Sequence, residues 1–179
     1  MEKLTLGNPN NKYYNPNFSM LTIGSAAPYL KELEISNCIG LAGQSVNVSE
    51  CRNIQKIFAT NTGINSISLP SHGVLNELRL PQTINSLKLI EQTQLNKDNF
   101  TIGYCEYNPE TKERTYINES GNIIILYIDN TPIDSYSLVK ENPDLQFFYL
   151  NNINWIVEDV NDLSADKTKI NALEKLLTA

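Results

Sequence analysis

Histidine and tryptophan each occur once in this chain of 179 residues, methionine twice and cysteine three times. One histidine and three scattered cysteines offer no zinc-ligand spacing. The odd cysteine count argues against a closed disulfide framework. Basic residues are also scarce: 14 Lys+Arg stand against 20 Asp+Glu, a net charge of −6. A general nucleic-acid binder needs cations to neutralise phosphates, and adhesion to an anionic membrane surface needs them as well. Long apolar runs are missing too. The longest, Ile123 to Ile128, falls far short of a bilayer span, so no membrane insertion is expected. The first residues, Met1-Glu2-Lys3-Leu4-Thr5-Leu6, show neither the basic nor the apolar region of a signal peptide. Gly-x-Gly-x-x-Gly, Walker A and Gly-x-Ser-x-Gly patterns are absent, and Asp129, Asp134, Glu141 and Asp144 do not form an EF-hand loop. His72, in Pro70-Ser71-His72-Gly73, reads as an exposed turn residue without a nucleophile or orienting partner. The sequence therefore predicts a non-enzyme with no metal site and no cofactor.

What the chain has in plenty is asparagine, 24 residues, and isoleucine, 19. The asparagines are spread between short apolar-x-apolar triplets, which suggests repeated tight turns. The triplets include Leu33-Glu34-Ile35, Val46-Asn47-Val48, Ile57-Phe58-Ala59, Ile67-Ser68-Leu69, Leu78-Arg79-Leu80 and Leu87-Lys88-Leu89. Each alternates in, out, in, as a short half-buried strand does. Taken alternately they share one period. Leu33, Ile57, Leu78 and Phe100 are 24, 21 and 22 residues apart, and Val46, Ile67 and Leu87 are 21 and 20 apart. That spacing lies in the leucine-rich-repeat range. It predicts a mainly β solenoid in one domain, with short parallel strands on two faces. Leu30, Ile54, Ile64, Leu75 and Ile84 stand three residues before their triplets, and Cys38, Cys51 and Thr62 three after. A small polar side chain at the latter position can bond turn backbone that would otherwise be buried unpaired.

The expected boundaries are repeats over 1–102, an inserted hairpin over 103–122, repeats again over 123–160, and a terminal helix over 161–179. The hairpin, with alternating segments around Asn108-Pro109-Glu110, is expected to project from the solenoid. Beyond it, Leu126-Tyr127-Ile128, Tyr136-Ser137-Leu138 and Phe148-Tyr149-Leu150 resume the strands, with their sheet unassigned. Ser164 and Asp166 start the terminal helix, and Ile170, Leu173, Leu176 and Leu177 share one face of it, covering the open end. Trp155 is expected to pack beneath that helix.

Stacking the 33/57/78 triplets puts Glu32, Lys56 and Glu77 in one outward row of alternating charge, and Glu34, Phe58 and Arg79 in the next. Phe58 beside Arg79 is a candidate recognition patch, or an ordinary exposed aromatic. Tyr104, Tyr107 and Tyr116 on the hairpin are a second candidate surface, or cross-strand pairs that stabilise it. Cys105, on the same hairpin, is a candidate exposed thiol. Tyr127 and Tyr149 face outward by the same alternation and could bind glycan or protein.

Several stretches carry a family resemblance: Tyr14-Asn15-Pro16-Asn17-Phe18, Leu33-Glu34-Ile35-Ser36-Asn37-Cys38, Val46-Asn47-Val48-Ser49-Glu50-Cys51, Leu80-Pro81-Gln82-Thr83-Ile84-Asn85-Ser86-Leu87 and Asp129-Asn130-Thr131-Pro132-Ile133-Asp134-Ser135. They resemble the leucine-rich-repeat segments of large tail- or baseplate-associated structural proteins of bacteriophages and prophages. The resemblance implies a non-enzymatic virion protein, made in the bacterial cytoplasm. Its partners would be other virion proteins or a host surface component. A bacterial surface adhesin with the same repeats is the alternative, and a secretion signal or wall anchor would favour it.

Overall fold

The computed structural model describes residues 1–8, 10, 14–23 and 27–153. Trp155 and the expected terminal helix lie outside the described residues.

The chain winds into a mainly β solenoid of about five turns. Each regular turn contributes one strand to each of two parallel sheets. The first sheet contains β1 (Lys3–Thr5), β2 (Glu32–Glu34), β4 (Lys56–Phe58), β6 (Glu77–Pro81) and β8 (Phe100–Tyr107), with β9 (Arg114–Asn118) antiparallel at its edge. The second contains β3 (Ser45–Asn47), β5 (Ser66–Ser68), β7 (Ser86–Ile90), β10 (Ile125–Asp129) and β11 (Phe147–Asn151). The register matches the sequence period: Leu33 pairs with Ile57, Ile57 with Leu78, and Leu78 with Phe100. Between the strands the backbone ladder continues through the corners. Asn65 N–H donates to Gln44, Asn85 to Asn65, and Ile124 to Asn85, at 2.8–2.9 Å. Short strands are thus stabilised by stacking of whole coils rather than by strand length.

The interior is a single apolar column. Leu30, Leu33, Ile54, Ile57, Leu75, Leu78, Ile84 and Leu87 are all buried in it. Cys38, Cys51 and Thr62 are buried at the turn positions where small side chains were expected. Cys38 Sγ donates to the Leu6 carbonyl at 3.2 Å, and Thr62 Oγ1 to the Ala59 carbonyl at 2.8 Å. Burial pushes both buried thiols, Cys38 and Cys51, up from their ordinary pKa.

The asparagine excess has a backbone cause. Five of the eight non-glycine residues at positive φ among the described residues are Asn15, Asn37, Asn61, Asn130 and Asn152. Asparagine tolerates the left-handed region better than other side chains. Asn37 and Asn61 also stack, the Asn61 amide donating to Asn37 Oδ1 at 3.0 Å. We expect Asn130→Ala, at φ 44°, to cost about 1–2 kcal/mol. Asn130→Gly should cost less, and urea unfolding of the two variants distinguishes the cases.

Two expectations are corrected. Tyr136-Ser137-Leu138 is not a strand. It lies in α1 (Ser135–Glu141), whose Asp134 cap accepts from Ser137 N–H at 3.0 Å. The buried residues of α1, Ser135, Leu138 and Val139, have helical spacing, and the outward-inward reading of the triplet misses it. The hairpin, secondly, does not project. It folds back across the first sheet.

Candidate functional site

The hairpin acts as a strap, and its contacts trace its path. At its base Gly103 pairs with Pro81 of β6 and with Asn118 of β9. Tyr116 lies against Arg79 of β6 and Phe58 of β4, and Arg114 against Phe58 and Glu34 of β2. The strap therefore crosses three strands of the sheet. The outward side chains beneath it form one continuous stack. The Arg79 guanidinium sits 4.4 Å from the Tyr116 ring centroid, and Tyr116 stacks on Phe58 at 6.5 Å. Arg114 covers Phe58 at 5.4 Å and pairs with Glu34 at 2.8 Å. Each cation faces an aromatic ring or a carboxylate, so no charge beneath the strap is left uncompensated. Arg79 also donates to Thr101 Oγ1 at 2.7 Å and to the Asp98 carbonyl at 2.9 Å.

Glu34, Phe58 and Arg79 occupy the outward rows expected of them, yet are only 4%, 9% and 8% exposed. The strap covers them, because an alternating pattern identifies the outward face but not what lies upon it. Tyr116 is drawn into the same stack, and burial raises its pKa against the opposing effect of Arg114. Cys105 is half-buried rather than exposed. Burial also raises its pKa, although the Arg114 charge acts the other way. The Asn61 side chain holds its backbone, donating to the Cys105 carbonyl at 3.2 Å and accepting from its N–H at 3.4 Å. Tyr104 and Tyr107 are half-buried along β8. The alternating row is present as expected, with Lys3–Glu32 at 2.6 Å and Lys56–Glu77 at 3.6 Å. These pairs are solvated and contribute little.

The second sheet carries no such cover among the described residues. Its outer rows change character along the solenoid. Ser45, Ser66, Ser86, Ile125 and Phe147 align in one row. Lys88, Tyr127 and Tyr149 align in the next. The early coils therefore present serine hydroxyls, and the later ones large apolar groups. Tyr127 and Tyr149 stack at 4.5 Å, with the Lys88 ammonium 5.0 Å from the Tyr127 centroid. Phe147 is 64% exposed, Ile125 46% and Tyr149 40%. Rings stacked on adjacent strands are already ordered, which lowers the entropy lost when a partner binds. Lys88, Ile125 and Phe147 were not singled out from sequence. The signal was present: the phase Leu87, Leu126, Phe148 places all three on the outer face once β10 is known to follow β7.

His72 lies on an exposed turn, as expected, with Nδ1 against the Glu91 carboxylate. No group of three metal-ligating side chains occurs among the described residues. No described helix is long and apolar enough to cross a membrane. Comparison with protein-family models, with curated proteins and with solved structures finds no match to the chain.

Proposed function

We propose that this protein is a non-catalytic binding module of the leucine-rich-repeat type, carried in a bacteriophage virion. It docks another virion protein or a host surface component on the later coils of its second sheet. One observation carries the docking surface: Ile125, Phe147 and Tyr149 stand exposed on two adjacent strands, with the half-buried Tyr127 stacked on Tyr149 beside Lys88. Contiguous apolar exposure of this kind marks interaction surfaces, and tyrosines dominate the energetics of many interfaces. The repeat type is supported by the period of 20–24 residues and by small buried side chains at the turn position. The virion assignment rests on the resemblance of the turn and triplet segments to phage tail and baseplate repeats. The acidic net charge of −6 fits a partner other than nucleic acid.

The test is mass spectrometry of particles purified after prophage induction, with wild type and a Phe147→Ser/Tyr149→Ser double variant. The wild-type chain should co-purify with particles, and the double variant should be depleted about tenfold or more. Equal incorporation of both removes the second sheet as the docking face. A wild-type chain found in the cell-wall fraction and not in particles overturns the virion reading.

A further inference from the structure

The strap does more than cover the first sheet: it also forms one wall of a cleft of about 940 Å³. Tyr104, Glu106 and Tyr107 line that wall, while Asn37, Asn61 and Gln82 line the opposite wall at the coil corners. We propose that this cleft binds a neutral, polyhydroxylated ligand, a segment of a saccharide chain.

Three features lead to that ligand class. The first is charge. Among the described residues no lysine, arginine or histidine lines the cleft, whereas Glu106 and Glu119 do. A phosphate, sulfate or carboxylate ligand would find no counter-charge among these residues and would be repelled by the two carboxylates. The second is the type of polar group. The Gln82 amide both donates and accepts, the two carboxylates accept, and the Tyr104 and Tyr107 phenols do either. None of these five side-chain groups is hydrogen-bonded to another described side chain. Vicinal hydroxyls, each donor and acceptor at once, match such a mixture, and sugar C–H faces can lie on the tyrosine rings. An apolar ligand would leave the same groups desolvated and unpaired. The third is rigidity. The Asn61 amide is fixed by Asn37 Oδ1 at 3.0 Å and by both backbone groups of Cys105. The two walls are thus tied together before any ligand arrives, which reduces the ordering cost of binding. The volume lies in the range of small-ligand sites. The cleft shares no residue with the second-sheet platform, so the two readings stand or fall separately.

The experiment is saturation-transfer difference NMR on the whole chain with three neutral probes: maltohexaose, chitotetraose and isomaltohexaose. A Gln82→Ala/Glu119→Ala double variant removes two exposed polar groups that line the cleft, with circular dichroism confirming the fold. Tyr149→Ser serves as the control on the other sheet. Transfer to at least one probe is expected, with binding about tenfold weaker in the double variant and unchanged in Tyr149→Ser. Absence of transfer with all three probes overturns the proposal. So does transfer that survives the double variant but is lost in Tyr149→Ser. Binding of a hexalysine peptide in place of the oligosaccharides also overturns it, and makes the carboxylates a cation-recognition element.

Discussion

Leu78→Asp leaves the protein without a cooperative thermal transition. Leu78 is fully buried and pairs with Ile57 on one side and Phe100 on the other. It therefore sits inside the stacked column, with a coil on either side. Truncation to alanine should cost about 2–5 kcal/mol through lost contacts and the remaining cavity. A carboxylate at the same point finds no cation within the column, and desolvating an unpaired charge costs far more than a cavity. Total stability for a domain is about 5–15 kcal/mol, so aspartate exceeds what the fold can absorb whereas alanine does not. Circular dichroism and calorimetry should show Leu78→Ala melting cooperatively at lower temperature and Leu78→Asp not melting at all. Native melting of Leu78→Asp would show that the column is not a shared interior.

Gly103→Ala releases the strap while the coils persist. Gly103 is the residue at which β8 stops pairing with β6 and begins pairing with β9. A Cβ there would fall on the Ile117 carbonyl oxygen and close to Glu119 N, closer than van der Waals contact permits. Both neighbours are backbone, so no side-chain rotation relieves the clash, and overpacking of this kind costs about 1–3 kcal/mol or more. The cost falls on the β8–β9 junction. The expected readout is Cys105, whose thiol is now half-buried and raised in pKa by that burial. Once exposed near Arg114 or solvent, it should react with a thiol reagent at least about tenfold faster. Cys38 and Cys51 should stay inert until global unfolding. A chain with 104–116 replaced by a short glycine linker should keep its β-sheet circular dichroism, since the column does not include the strap. Unchanged Cys105 reactivity in Gly103→Ala, or loss of the whole fold in the deletion, would contradict this division of labour.

The coil architecture was readable because its cause is local and repeated. Each triplet must alternate, and each corner must return the chain after a fixed number of residues. A period of 20–24 therefore survives in the sequence even where individual residues vary. The outward rows were readable for the same reason, and the register Glu34, Phe58, Arg79 follows directly from it. Their cover was not readable. Whether Arg114 and Tyr116 point to solvent or fold onto Phe58 depends on contacts between residues 37 to 80 positions apart, which no short-range pattern encodes. The α1 segment was misread because Tyr136-Ser137-Leu138 satisfies both periods at once. The Asp134 cap and the third buried position, Val139, decide between them. The second-sheet platform was half readable: its tyrosines emerged from alternation, but Ile125 and Phe147 needed the phase across the insertion.

That insertion has an evolutionary consequence. The chain leaves the column after Ile102 and rejoins it at Ile123, and on rejoining Leu126 pairs with Leu87 without a register shift. Some twenty residues can thus be spliced in at this corner while the coils on either side keep their alignment. The corner is a natural grafting point, where new loops can be exchanged between descendants, or an epitope installed by design, without renegotiating the scaffold.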